Sequence, residues 1–454
     1  MNRYNLYFTT RRFGLHYFPD AQHYRESDLC TWVPILRSLG ASWLTLPAPN
    51  NRAIPEFFLN GLLEAQIQPI LHFQLPLEHG QHFDSLPLLI QQYARWGVQY
   101  ITLFDRPNLR SSWPADSWAQ RDLVERFLDF FLPLAELVTY HGLTPVFPPL
   151  QPGGDYWDTA FLRGALRGMV RRGQYRVLNS FVLGAYAWAG NRPLNWGAGG
   201  PERWPGARPY FTPPGTQDQR GFRVFDWYLP LLQAELGNTR PIFVLKAGSL
   251  IGDRSDPALP EVSKQDHRER NLALVRWVED DPDPDAQDRQ MEPIPEEVMA
   301  CNFWLMSADP TSPHYAQAWF QSDEQHLPVV DALHKWISKR QYPFPFDSPR
   351  QMFQEFNLAD SAAQKVTPTD HPITHYLLLP LYEWGVNEWH LDQVKEFVTQ
   401  HQPTVGFSLE EAVLARRVTV VGGLHAFPEE VVARLRTAGC TVERITADGT
   451  LIAT

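Results

Sequence analysis

The chain has 454 residues and a formal net charge of −11, and no block of Lys and Arg stands out, so its composition argues against general nucleic-acid binding. Hydrophobic residues make up 44% of the sequence, which is enough for a large core, yet no apolar run approaches the ~20 residues of a membrane span. The N-terminus lacks the apolar stretch of a signal peptide. Cys30, Cys301 and Cys440 are far apart, so they predict neither a metal site nor a disulfide framework.

The first 340 residues alternate short apolar strands with amphipathic helices, which is typical of βαβ units on a parallel sheet. The predicted strands are 13–18, 42–46, 69–73, 100–104, 144–147, 180–186, 241–245 and 301–306. The predicted helices are 29–39, 54–65, 86–96, 121–140, 157–172, 222–236, 269–278 and 329–337. Eight such pairs predict a (β/α)8 TIM barrel over residues 1–340, in which reactive groups lie at the C-terminal ends of the strands.

A second α/β pattern follows a segment rich in Pro and polar residues. We predict a linker at 341–370 and a small α/β domain at 371–454. Its predicted strands are 375–379, 404–407, 418–421 and 441–445, and its predicted helices are 391–399, 409–415 and 428–438. Near-continuous Val runs between helices predict a parallel sheet covered on both faces.

The end of the fourth predicted strand reads Leu-Phe-Asp-Arg-Pro-Asn-Leu, residues 103–109. It resembles the Asn-Glu-Pro-Asn turn of retaining glycoside hydrolases with a (β/α)8 barrel, in which the Glu is the acid/base. Asp105 stands where that family has Asn and Arg106 where it has Glu, while Pro107 and Asn108 match.

The seventh predicted strand carries a second motif, Pro-Ile-Phe-Val-Leu-Lys-Ala-Gly at residues 241–248. It resembles the Pro-Ile-x-x-Thr-Glu-x-Gly strand of the same family, whose Glu is the nucleophile, and Lys246 stands in its place. The resemblance covers residues 12–340 and implies a barrel that recognises a glycan.

The two replacements matter because retaining hydrolysis needs a carboxylic acid and a carboxylate about 5–5.5 Å apart. Arginine stays protonated at ordinary pH and cannot transfer a proton. A lysine cation raises the energy of an oxocarbenium-like transition state. The inherited mechanism is therefore predicted to be absent.

Three interpretations of Arg106 and Lys246 remain open. In the first, which we take as the prediction, a catalytically impaired barrel binds a glycan, and the two cations favour an anionic sugar or a phosphate. In the second, the chain is an active glycoside hydrolase with relocated carboxylates such as Asp105. In the third, the two motifs are misaligned and both cations are surface residues at strand ends. A separate function class is a structural or assembly protein in which the barrel is only a scaffold.

Other polar and aromatic residues at the predicted rim are candidate ligand contacts beside Asp105, Arg106, Asn108 and Lys246. They are His16, Tyr17, His72, Gln74, Tyr186, Trp188 and Trp304. The long Gly/Pro/Trp loop 187–220 adds Trp196, because a loop of this length without regular structure is uncommon unless it is functional. Sequence patterns for metal, acyl-transfer or phosphate-loop chemistry do not occur, so no cofactor or metal is predicted.

The last domain carries a further resemblance. Val-Thr-Val-Val-Gly-Gly at 418–423 and Val-Glu-Arg-Ile at 442–445 are similar to the type 2 cell-wall-binding repeat, whose family holds proteins to anionic wall polymers. One copy is visible, and Thr446 replaces the Gly that follows the second strand. The alternative is a generic α/β unit with a tight Gly-Gly turn. The resemblance implies an extracellular or cell-surface location, whereas the sequence shows no signal peptide, so the compartment stays open, as does the oligomeric state.

Overall fold

The first domain is a closed barrel of eight parallel strands in sequence order, as predicted. The computed structural model describes residues 11–78, 83–281, 291–321, 325–339, 371, 373–380, 388–423, 426–445 and 451–453. The barrel strands are β1 (Phe13–His16), β2 (Trp43–Pro47), β3 (Gln68–Phe73), β4 (Tyr100–Leu103), β5 (Thr144–Leu150), β6 (Val182–Trp188), β7 (Ile242–Gly248) and β8 (Val298–Phe303). Pairing of β1 with β8, with Phe13 opposite Cys301, closes the ring.

Helices surround the barrel and follow the strands. They are α1 (Glu26–Ser38), α2 (Glu56–Glu64), α3 (Leu86–Arg95), α4 (Ala115–Trp118), α5 (Leu123–Tyr140), α6 (Asp158–Arg171), α7 (Tyr175–Ser180), α8 (Gly200–Arg203), α9 (Phe225–Leu236), α10 (Lys264–Val278) and α11 (Pro328–Ile337). In the described part of the chain, single turns of 3-10 helix lie at Arg110–Ser112, Phe222–Val224 and Tyr315–Gln317. Among the described residues, no helix is both long and apolar enough to cross a membrane.

The packing between strands and helices explains why the apolar faces fold inward. On α5, Phe127 and Phe131 stack at 5.6 Å, and Phe131 meets Phe147 of β5 at 5.2 Å between ring centroids. All three rings are fully buried. Complete burial of a side chain of this size stabilises the fold by about 1.5–3 kcal/mol.

The lower part of the barrel interior is apolar. We call the side chains there the apolar layer: Trp43, Ile70, Tyr100, Val146, Val182, Phe243, Leu245 and Ala300. The rings of Trp43, Tyr100 and Phe243 meet at centroid distances of 4.7 to 5.8 Å. Gly14 makes room for Trp43, because a Cβ at that glycine would lie 2.5 Å from the Trp43 carbonyl oxygen.

The second domain is a five-stranded sheet in the order β10-β9-β11-β12-β13. Its strands are β9 (Ile373–Leu378), β10 (Thr404–Gly406), β11 (Ala415–Val421), β12 (Thr441–Ile445) and β13 (Leu451–Ala453). Its helices are α12 (Glu388–His401), α13 (Leu409–Ala412) and α14 (Glu429–Thr437). The first four strands pair in parallel, as predicted, whereas β13 adds an antiparallel edge that was not predicted. The predicted linker lies outside the described residues.

The turn after β11 is the one that resembles the cell-wall-binding repeat. Arg444 of β12 is buried, and its guanidinium donates hydrogen bonds to the carbonyl oxygens of Gly422 at 2.8 Å and Phe427 at 2.9 Å. The Arg of this motif therefore braces the Gly-Gly turn. Wall binding by this domain stays a prediction.

Several element boundaries differ from the sequence prediction, among them those of α7 and β8. Helix α7 ends at Ser180, where a strand was expected to begin. Strand β8 begins and ends three residues before the predicted 301–306, which places Trp304 just beyond its C-terminal end.

Candidate functional site

The C-terminal ends of β1–β8, which we call the mouth of the barrel, bring together Asp105, Arg106, Tyr186, Lys246 and Trp304. The turn after β4 is unusual, because Phe104 and Arg106 adopt positive φ angles of 67° and 42°. Non-glycine residues are uncommon in this left-handed region and pay a small energetic penalty there. The turn is held by the Arg106 amide, which donates to the Pro149 carbonyl at 3.1 Å. It directs two consecutive charged side chains to the mouth.

The Asp105 carboxylate is held on both oxygens. Its Oδ1 accepts a 2.6 Å hydrogen bond from the Tyr186 hydroxyl, and its Oδ2 accepts a 3.0 Å bond from Nε of Arg106. Burial raises the pKa of Asp105, but His72, Lys246 and Arg106, together with the Tyr186 hydrogen bond, lower it by more. The net result is a pKa below the usual value for Asp. Asp105 is therefore an ionised carboxylate at neutral pH.

Lys246 lies on β7, where the strand register shifts against both neighbouring strands. Its Nζ is 4.2 Å from the centroid of the Trp304 ring and 5.1 Å from that of Tyr186, which are cation–π distances. Burial lowers the pKa of Lys246 to about 8, with Asp105 raising it and Arg106 lowering it. The amine is thus mostly protonated at pH 7, with a neutral fraction of about a tenth.

A layer of buried polar side chains lies between the apolar layer and the mouth. We call it the polar layer: His16, Thr45, His72, Thr102 and Asn302, all 0% exposed. Four of them, Thr45, His72, Thr102 and Asn302, each lie two positions after a member of the apolar layer on the same strand, and His16 pairs in register with Thr45. Because alternate residues of a strand face the same side, all five point into the barrel.

Much of the hydrogen-bonding capacity of the polar layer is unused. Nε2 of His72 donates to the Phe104 carbonyl at 2.9 Å, and Nδ2 of Asn302 donates to the Val244 carbonyl at 3.1 Å. Within the described part of the chain, Nδ1 of His72 and Oδ1 of Asn302 have no hydrogen-bond partner, nor do the hydroxyls of Thr45 and Thr102. The ring of His16 has the backbone of Phe18 as a nearby polar partner. A buried polar group without a partner costs about 1–3 kcal/mol, so this layer is unfavourable for stability alone.

Aromatic rings form one wall above the polar layer. Trp304 lies 4.6 Å from His16, 5.2 Å from His314 and 6.5 Å from Trp188 between ring centroids. Burial lowers the pKa of His16 well below its usual value, and the charge of Lys246 lowers it further. His16 is therefore neutral at pH 7 and offers one donor and one acceptor.

The other predicted contacts are placed differently. Asn108 is fully buried, and its Nδ2 donates to the carbonyls of Gln151 and Tyr156, both at 2.9 Å, while its Oδ1 accepts from the Gln151 amide. This residue braces the turn after β4 against the loop after β5. Its amide is directed at backbone groups rather than at the mouth.

Three more predicted ligand contacts, Tyr17, Gln74 and Trp196, do not contact Lys246. Tyr17 packs among Tyr24 and Phe58 on the helix-facing side of β1. Gln74 is exposed beyond β3. Trp196 donates from Nε1 to Asp218 at 3.2 Å and belongs to the framework of its own loop.

Sequence reasoning missed Thr45, Thr102, Asn302 and His314. The first three are polar residues inside otherwise apolar strands, and this pattern was a usable signal once the inward face of each strand is known. His314 lies in a loop, and no sequence pattern marked it.

One cluster has side chains of the type that bind metal ions. Asp20, His23 and Asp309 bring their potential ligand atoms within 4.8 Å of one another. His23 stacks on Phe18 at 3.7 Å, and both carboxylates are partly exposed to solvent. These residues lie outside the group around Lys246.

Comparisons with known proteins show no family for this chain, and the barrel fold rests on its own strand pairing. No family model matches the chain, and no curated protein matches it. Solved structures that resemble it are glycoside hydrolases.

An endo-β-1,3-glucanase from Sorangium cellulosum has 11% identity and a TM-score of 0.41, over 71% of this chain and 97% of the glucanase. A monomeric β-xylosidase from Caulobacter crescentus CB15 has 11% identity and a TM-score of 0.45, over 72% of this chain and 68% of the xylosidase. A β-galactosidase from Marinomonas ef1 has 9% identity and a TM-score of 0.39, over 95% and 75% of the two chains. At these values the likeness concerns the fold alone.

Proposed function

We propose that this chain binds a carbohydrate at the mouth of the barrel and does not hydrolyse it by the two-carboxylate route. The observation that carries the proposal is the group of partly exposed side chains at the mouth, Arg106, Lys246 and Trp188, which lie above the buried polar layer, with the Trp304 ring beside Lys246 and Trp188. A sugar presents hydroxyl groups on its edges and apolar C–H surfaces on its faces. Fixed polar groups beside an aromatic wall are the combination that binds such a molecule.

The charges at the mouth favour an anionic sugar. Of the carboxylates in the described ranges, Asp105 is the one that acts on both Arg106 and protonated Lys246. Arg106 is 40% exposed and uses Nε for Asp105, so its two terminal nitrogens can reach a ligand. A uronate, sulfate or phosphate group would form charge-assisted hydrogen bonds with this pair.

The chemistry of the same residues argues against retaining hydrolysis. Among the described residues, Asp105 is the carboxylate recorded as acting on Lys246 and on Arg106. Its lowered pKa keeps it ionised, so it cannot protonate a leaving oxygen at neutral pH. Arg106 cannot take that role either. This supports the binding interpretation over an enzyme that relies on Asp105.

The test is titration of the purified protein with a panel of neutral and uronic-acid oligosaccharides, followed by calorimetry. We expect binding that falls at least tenfold in Lys246→Gln and is unchanged in Lys264→Gln, whose lysine is exposed on α10. Failure of every oligosaccharide to bind would overturn the proposal and favour a scaffold. Sugar release that disappears in Asp105→Ala would instead favour an active hydrolase.

A further inference from the structure

We propose that Lys246 forms an imine with the aldehyde of a reducing sugar in its open-chain form. The inference rests on the proposed carbohydrate site and names a chemical step there. The amine adds to the carbonyl carbon to give a carbinolamine, which loses water to give the imine. One aldehyde and one amine thus yield one imine and one water, and no oxidant or reductant is needed.

The geometry leaves the Lys246 amine available for this reaction. Its recorded contacts are with the faces of Trp304 and Tyr186, and no hydrogen bond or ion pair joins Nζ to a side chain in the described part of the chain. The side chain projects from a barrel strand, so its base is fixed by the β6–β7 and β7–β8 pairings. A lysine used only for stability would be expected to pair with Asp105 directly.

The surroundings also favour the neutral amine, which is the form that attacks a carbonyl. Desolvation and a neighbouring cation are the two features that activate lysine nucleophiles, and here burial and Arg106 supply them. With its pKa lowered to about 8, Lys246 has a neutral fraction of about 10% at pH 7. An ordinary lysine, with a pKa of about 10.4, has about 0.04%.

The charges at the mouth also suit the imine product. A protonated imine carries its positive charge at the position of the lysine nitrogen. Asp105, whose pKa is lowered by His72, Lys246 and Arg106 and by the Tyr186 hydrogen bond, is the counter-charge for it. Arg106 and Trp188, which are partly exposed at the same mouth, offer contacts for the rest of the sugar chain.

Other titratable groups around Lys246 set the pH range of the reaction. Those with a recorded electrostatic effect on Lys246, or affected by it, are Asp105, Arg106, His16, His72 and His314. The pKa values of the three histidines are lowered, with burial as the first cause, so they are neutral above pH 7. The rate of imine formation should therefore rise between pH 6 and 8 with the single titration of Lys246.

The experiment uses the intact protein, glycolaldehyde as the aldehyde probe and cyanoborohydride, which reduces an imine to a stable secondary amine. Peptide mass spectrometry then gives the labelling rate of each lysine. We expect Lys246 to be labelled at least tenfold faster at pH 7 than the exposed Lys264 and Lys335. Equal or slower labelling of Lys246 would overturn the inference, and this comparison needs no variant.

Two controls separate this inference from the proposed function. Lys246→Arg should abolish the fast label, whereas Lys264→Arg should leave the label at Lys246 unchanged. Binding of oligosaccharides whose reducing ends have been converted to alditols reports on the carbohydrate site without any aldehyde. If these bind and Lys246 is not labelled, the imine alone is wrong; if Lys246 is labelled and none binds, the carbohydrate site is wrong.

Discussion

The hydroxyl of Tyr186 donates a 2.6 Å hydrogen bond to Oδ1 of Asp105 and so joins the end of β6 to the turn after β4. The two residues are 81 positions apart in the sequence. The charges of His72, Lys246 and Arg106, together with this bond, lower the pKa of Asp105, and the Lys246 ammonium lies over the Tyr186 ring. The contact therefore contributes to the charge state of the mouth.

Replacement of Tyr186 by Phe should raise the pKa of Asp105, because it removes one donor to the carboxylate. Hydrogen bonds to charged groups contribute about 1.5–3 kcal/mol, so the free energy of unfolding should fall by about that amount. NMR titration of the Asp105 carboxyl carbon and urea unfolding measure the two effects.

Tyr228→Phe is the matched control, because Tyr228 donates a 2.8 Å bond to the buried Asp158 away from the mouth. It should lower stability similarly without changing ligand binding. If both variants lose ligand affinity equally, the effect of Tyr186→Phe is not specific to the mouth.

Lys246→Met should stabilise the protein at pH 7, by between about 1 and 3 kcal/mol, because the native state holds a buried cation. Folded Lys246 releases its proton near pH 8, whereas in the unfolded chain it does so near 10.4. Between these values the unfolded state binds more protons, so the stability of the wild type rises with pH and the advantage of Lys246→Met shrinks. Denaturant unfolding at pH 7, 8 and 9.5 should show this, and a constant difference would contradict the lowered pKa.

Trp304→Ala should weaken oligosaccharide binding at least tenfold, which corresponds to about 1.4 kcal/mol, because it removes the aromatic wall beside His16 and Lys246. Trp336→Ala is the control, since this tryptophan lies near the end of α11 and donates to Asp281. Calorimetry on both variants decides whether the lost affinity belongs to the mouth. Unchanged affinity in Trp304→Ala would exclude stacking on this ring.

Arg444→Met should destabilise the second domain by roughly 2–3 kcal/mol, because the carbonyls of Gly422 and Phe427 lose a charged donor. Hydrogen exchange should speed up across β11 and β12 while the barrel strands keep their protection. Binding of oligosaccharides at the barrel mouth should not change.

Much of the fold could be predicted from the sequence because each barrel strand is a short apolar run between helices. Strand β12 was predicted to the residue at Thr441–Ile445, directly after the helix that ends at Thr437. The start of β8 was misplaced because Val298 follows directly on a polar, proline-containing stretch that offers no strand pattern.

The site could be predicted only in part. Asp105, Arg106 and Lys246 came from motifs at strand ends, and the structure places them together. The brace role of Asn108 was not predictable, because its partners Gln151 and Tyr156 lie more than 40 residues away. The polar layer needs the register of neighbouring strands, which local patterns do not give.

Carbohydrate binding without hydrolysis is tested by assaying one sample for both. The wild type is incubated with the oligosaccharide that binds most tightly. Calorimetry measures affinity, and quantification of new reducing ends measures hydrolysis. We expect saturable binding, reduced in Trp304→Ala, with no new reducing ends over the uncatalysed rate. New reducing ends that form with the wild type and disappear in Asp105→Ala would contradict this expectation.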